Sequence, residues 1–266
     1  MKDLFPYNVL KPLYDILNAF FSLFFSYGDH FFYFVAVPYA AILIGFYGLW
    51  HRYRNHQFSQ TSQSSQFLNR TYSLPQALNF FHYGLIIILG VHFLLIVFGL
   101  LVPSELAKFF ADNEDFLMIF EIFLWSVTLG VIIGISVFIL RRIFDSRIRK
   151  VTTKMDWLLY ILLFIQINLG FLIATGYYSG ATWYASSIVP WFTSLATLNF
   201  GANTEIIKSM SGFDGIIKFH ALNGFVIVAI LPYTKLIHFI SFPYGYLFRK
   251  YQISIWYTKK KLFNKH

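Results

Sequence analysis

The chain contains no cysteine. That excludes a Cys-ligated iron–sulfur cluster, thiolate ligation of haem, covalent haem attachment and any disulfide within the chain. Charge is also scarce. Asp, Glu, Lys and Arg make up 12% of the 266 residues, about half the share of a soluble domain. The early apolar stretch 17–27 lacks a basic start followed by a small-residue cleavage site, so no cleavable signal peptide is expected. What the chain has in abundance is apolar surface, at 57% hydrophobic residues, with 33 phenylalanines that read as lipid-facing. Its apolar runs reach the length needed to cross roughly 30 Å of hydrocarbon. These features imply one polytopic, all-α membrane domain.

Hydropathy places five spans, at 31–50, 78–102, 116–140, 157–176 and 216–240. Two further apolar stretches, 17–27 and 183–200, are expected to lie in the membrane interface as short helices. The net charge of +9 would suggest a nucleic-acid partner in a soluble protein, but here the cations flank apolar runs and report topology instead. Arg52, Arg54 and Arg70 follow the first span, a basic loop at 141–154 follows the third, and a basic tail from Arg249 to Lys265 follows the fifth. Cations stay on the cytoplasmic side of the plasma membrane. The amino terminus is therefore expected outside and the carboxyl terminus inside. Pro38 is expected to interrupt the first span. Gly130 and Gly134 give the third span a small-xxx-small face for packing inside the bundle. Asp156 is expected to favour the start of the fourth span through the helix dipole, with Lys154 as a competing ion-pair partner.

Of eight histidines, His30, His51, His56 and His266 lie in loops, boundaries or the terminus and read as solvated. His82 and His92 lie in the second span, His220 and His238 in the fifth. Ionisable residues inside membrane spans are rare and mark function. The two spans run antiparallel, so each membrane level offers one histidine from each helix: His82 with His238, His92 with His220. Ten residues correspond to about 15 Å of helix rise and eighteen to about 27 Å, and eighteen residues return to the same helix face. Facing imidazoles could hold zinc or haem. Zinc would want further ligands, and the spans supply no Cys and only Glu121 among carboxylates. A haem needs two axial nitrogens and small residues beside an apolar slot. Gly84, Gly90 and Gly224 stand close to the histidines. Two haem b groups, six-coordinate and devoted to electron transfer, are the reading these residues favour.

Several segments resemble the gamma, haem b subunit of respiratory nitrate reductases. They are "VPYAAILIGFYGLWHRYR", "SSQFLNR", "FHYGLIIILGVH", "RRIFDSRIRKVTTKMDWLLYILLFIQINLG" and "KFHALNGFVIVAILPYTKLIHFISFPYGYLFRKYQ". The resemblance runs from about residue 33 to 252. It implies a di-haem domain at 31–252, preceded by an extension at 1–30 and followed by a basic tail at 253–266. It implies that His92 and His220 hold the outer haem iron and His82 and His238 the inner. It also implies oxidation of quinol, ubiquinol or menaquinol, near the outer haem. Electrons would then pass to an iron–sulfur beta subunit and a molybdenum-containing alpha subunit in the cytoplasm, for anaerobic nitrate respiration. The family's quinol-site lysine falls in the outer loop, where this chain offers Lys108. Gly90, His92 and Lys108 are therefore the candidate quinol site, with a snorkelling anchor as the plainer reading of Lys108. Family members place Gly directly before the second histidine; here Val91 intervenes. The aromatic and basic stretch 243–252 is expected to dock the iron–sulfur partner. Two alternatives stay open: the same subunit in another quinone-linked complex, such as a nitrite oxidoreductase or heterodisulfide-reductase-like assembly, and a haem-free transporter or scaffold.

Overall fold

The computed structural model describes residues 7–22, 32–55, 75–101, 103–176, 183–198 and 214–240. A bilayer offers the backbone no hydrogen-bond partners, so spanning segments must satisfy their own N–H and C=O groups. The described residues are accordingly helical. Helix α1 spans Tyr7–Ser22, α2 Val37–Asn55, α3 Pro75–Leu101, α4 Pro103–Asp112 and α5 Glu114–Phe144. They are followed by α6 at Ser146–Lys150, α7 at Lys154–Gly176, α8 at Val189–Ala196, α9 at Gly215–Ile230 and α10 at Ile237–Ile240. Five stretches are long and apolar enough to cross a membrane: Phe32–Asn55, Phe80–Leu101, Glu114–Phe144, Lys154–Gly176 and Gly215–Tyr233.

Local signals explain several boundaries. A π-helical turn at Phe32–Ala36 leads into α2, and Pro38 falls in the first turn of α2. The helical turn before it means that Pro38 interrupts the ladder inside a continuous span, and the carbonyl it frees one turn back, Phe34 O, accepts the Trp191 indole N–H instead. Glu114 and Asp115 open α5, and Arg141 and Arg142 close it, each sign at the end the helix dipole favours. Helix α7 begins with a capping box. The Thr153 N–H donates to Asp156 Oδ2 at 2.9 Å, and the Asp156 N–H donates to Thr153 Oγ1 at 3.2 Å.

The stretch 183–200 forms short helices over its described part, as expected. A π-helical turn at Tyr184–Ile188 runs into α8, and Trp191 is 2% exposed, donating its indole N–H to Phe34 O at 3.0 Å. Two other expectations need correction. The amino-terminal helix begins ten residues earlier than its apolar stretch and buries Tyr14 against the bundle. The fifth span is not one helix to residue 240. Regular helix ends at Ile230, because Pro232 has no N–H to continue the ladder and its ring crowds the carbonyl one turn back. A 3-10 turn at Leu231–Tyr233 follows, and Thr234 is extended.

Helix α3 packs on α5, α5 on α7, α7 on α9, and α9 on α2. Gly84 of α3 lies against Val131, and Gly130 of α5 lies against Phe80, so the small residues of α5 serve packing within the bundle. Helix α3, with His82 and His92, and helix α9, with His220, are thus joined through α5 and α7. Leu43, Phe46, Phe93 and Ile119 are each at least 65% exposed. Large apolar side chains turned outward around the bundle are what a lipid-solvated surface requires.

Candidate functional site

The start of the second span and the end of the fifth meet at one end of the bundle. The rings of His82 and His238 stand 6.5 Å apart, centre to centre. Two imidazoles on opposite sides of one metal, each bonded at about 2 Å, put their ring centres roughly 6–7 Å apart. His82 is walled by Phe81 and Phe138, at 5.2 and 6.3 Å between ring centres. The His238 Nδ1 hydrogen-bonds to the carbonyl of Lys235. A carbonyl can only accept, so Nδ1 carries the proton and Nε2 keeps its lone pair for a ligand.

His238 reaches this position by a route that helix periodicity does not suggest. It sits on the four-residue α10, beyond the break, so an unbroken rise of about 27 Å from His220 does not apply. Lys235 is not in the span either. It stands in the turn before α10 and pairs with Asp156 at 2.7 Å. Asp156 therefore does begin the fourth span, as the acidic member of its capping box, but its cation is Lys235 and not Lys154.

The other two span histidines are His92 on α3 and His220 on α9. The His92 Nδ1 hydrogen-bonds to Ile88 O at 2.8 Å, so Nδ1 carries the proton and Nε2 keeps its lone pair. Tyr184 packs edge-on to His92 with ring centres 5.5 Å apart. Burial pushes the Tyr184 phenol above its usual range, so it stays a protonated donor. His220 faces α7. Gln166 Nε2 donates to His220 Nε2 at 3.3 Å, and Asn223 Nδ2 donates to Gln166 Oε1 at 2.8 Å. The Asn223 bond fixes which end of the Gln166 amide faces the ring. His220 Nδ1 is buried without a hydrogen-bond partner, which a native fold rarely leaves unexplained. Gly170 lets α7 approach the imidazole: a Cβ there would meet His220 Cε1 at 3.0 Å.

The close approach of His82 and His238, with Nε2 of His238 left free by its backbone bond and aromatic rings beside His82, fits a flat macrocycle held by two imidazoles; His220 could join such a site only by giving up its bond from Gln166. Among the described residues no group of three or more His, Cys, Asp or Glu side chains converges on one point.

The candidate quinol residues are placed less tightly. Lys108 is exposed on α4, and α4 packs against the π-helical turn that carries Tyr184. A Cβ at Gly90 would meet nothing within 4 Å. His51 is exposed at the end of α2. His30, His56, His266 and the stretch 243–252 lie outside the described residues. Gln166, Asn223 and Tyr184 are not among the residues that the sequence singles out. The first two do carry a signal, as uncharged amides inside apolar spans.

A model of the nitrate reductase gamma subunit family matches residues 30–257. The respiratory nitrate reductase 1 gamma chain of Escherichia coli is 31% identical over 225 residues, covering 84% of this chain and 95% of the relative. The nitrate reductase gamma chain of Bacillus subtilis is 28% identical over 221 residues, covering 82% and 94%. A component of the dihydromethanophenazine:CoB–CoM heterodisulfide reductase of Methanosarcina barkeri is 28% identical over 152 residues, covering 57% and 47%.

Proposed function

This chain belongs to the nitrate reductase gamma subunit family, and from that membership we propose that it oxidises quinol near the outer face and delivers the electrons, by way of two haem b groups, to cytoplasmic iron–sulfur and molybdenum-containing subunits. At the coarser level it is a membrane electron-transfer subunit of a nitrate reductase, an oxidoreductase complex. The heterodisulfide reductase relative is matched over less than half its length, whereas the two nitrate reductase gamma chains are matched almost end to end.

His82 and His238 would hold the inner haem, and His92 and His220 the outer. When bound, two bis-imidazole haems supply one-electron carriage in series. The chain's own contribution is orientation. The carbonyls of Ile88 and Lys235 fix the tautomers of His92 and His238. Phe81 and Phe138 keep water from His82. Quinol oxidation releases protons, and the outer candidates for binding or accepting them are His92, Lys108 and the surface beside Gly90. The basic helix α6 and its flanks support a cytoplasmic position for that end of the bundle.

The observation that carries the reading is the 6.5 Å approach of His82 and His238, from chain positions far apart. A reduced-minus-oxidised spectrum of the purified complex, with extraction of the pigment, tests it. Two haem b per chain are expected. Absence of a b-type band would leave the histidines as helix-bonding groups and end the proposal.

A further inference from the structure

We propose that Asp156 and Lys235 form a clamp that positions the His238 imidazole. The inference rests on the reading of His238 as an inner-haem ligand. It starts from the break in the fifth span. The break at residues 231–236 separates Ile237–Ile240 from α9, so α9 does not pass its direction on to His238. Buried Ile237 anchors the stretch on one side, and among the described residues the contacts that fix residues 231–236 also bear on the direction of His238.

Two other spans reach that segment. From the end of α2, Arg52 Nη1 donates to Pro232 O at 2.6 Å. From the start of α7, Asp156 Oδ2 accepts from Lys235 Nζ at 2.7 Å. The Asp156 carboxylate is itself immobile. Its side chain is 4% exposed, and its Oδ2 also accepts the Thr153 N–H. Lys235 then links the anchor to the ring through its own backbone, since its carbonyl accepts the hydrogen bond from His238 Nδ1–H. One residue thus joins a buried anion on the fourth span to the ring on α10. Within the segment, Thr234 Oγ1 donates to Leu231 O and accepts from the Leu236 N–H. Those bonds shape the turn but tie it to nothing outside.

A pair that merely joined two helix ends would change how much protein assembles. A positioning pair changes the inner haem itself. Lys235 is half exposed, so K235M removes the cation without burying a new charge. D156N keeps the volume and a capping oxygen. K235R keeps the charge.

The three variants are compared with the parent as complete complexes in membranes, by redox titration of the separate b-type components. In K235M and D156N the inner component should shift in midpoint potential and band position, or be lost. The outer component should be unchanged, and K235R should titrate as the parent does. The clamp is wrong if K235M assembles with an unshifted inner component, if both components fall together, or if K235R behaves as K235M does. Those three outcomes do not depend on D156N, so its failure to assemble would not protect the idea. H238A serves as the separate control. If it removes no haem component, the ligand reading fails, not the clamp alone.

Discussion

Gly170 is the residue at which one added carbon should have the most local effect. Its hypothetical Cβ lies 3.0 Å from His220 Cε1, and Gln166, one turn earlier on the same face of α7, already bonds the ring's Nε2. Gly170→Val places two further carbons in that space and must turn the imidazole. The expected result is loss of the outer b-type component with the inner one intact, read from the reduced-minus-oxidised spectrum. A parental spectrum would show that α7 does not constrain His220. Asn223 offers a gentler perturbation. It donates to Gln166 Oε1 and to Leu162 O at 3.0 Å. Polar bonds between membrane helices contribute about 0.6 to 2 kcal/mol. Asn223→Leu should lower stability in detergent by that order and release Gln166 to rotate. The four histidines could be found from sequence because an ionisable group in a span is conspicuous. Tyr184 could not, because a tyrosine in an aromatic stretch looks like any other until the fold sets it against His92.

Among the helices, α1 behaves as a brace for the start of the fifth span. Tyr14 Oη donates to Asp214 Oδ2 at 2.5 Å, and Asn18 Nδ2 donates to Asp214 Oδ1 at 3.0 Å. Asp214 is the residue that precedes α9. Phe21 stacks on Phe219, the neighbour of His220, at 4.3 Å between ring centres. Gly176, at the end of α7, lies under the Tyr14 ring. This helix precedes the residues matched by the family. Tyr14→Phe deletes one charge-assisted hydrogen bond, worth about 1.5 to 3 kcal/mol. Thermal unfolding in detergent should show a loss of that size. An unchanged midpoint would mean that α1 rests on the bundle without supporting it. Five spans could be read from apolar run length alone, since length is what a bilayer selects. The break after Ile230 could not. Membrane helices tolerate proline when neighbours re-satisfy the backbone, so Pro232 in the sequence does not distinguish a kink from an end. Here the structure shows an end, held by Arg52 and by an ion pair between residues 79 positions apart. No local pattern announces a partner at that distance.

For the molecule as a whole, electron delivery to soluble subunits requires the α6 end of the bundle to lie in the cytoplasm. The absence of native cysteine makes this directly testable. Arg149, exposed on α6, can be replaced by a single cysteine and probed with a membrane-impermeant maleimide. Intact cells should leave Arg149→Cys unlabelled and lysed cells should label it. Labelling of intact cells would invert the bundle and the direction of electron flow.

Everything proposed for the chain depends on two haem b groups, each held by one histidine from the second span and one from the fifth. Replacing the four histidines singly by alanine and resolving the b-type spectrum of each complex tests that dependence at its root. His92→Ala and His220→Ala should lose one and the same component, and His82→Ala and His238→Ala should both lose the other. If His82→Ala and His220→Ala shared a lost component, or if any of the four kept both, the pairing would be contradicted.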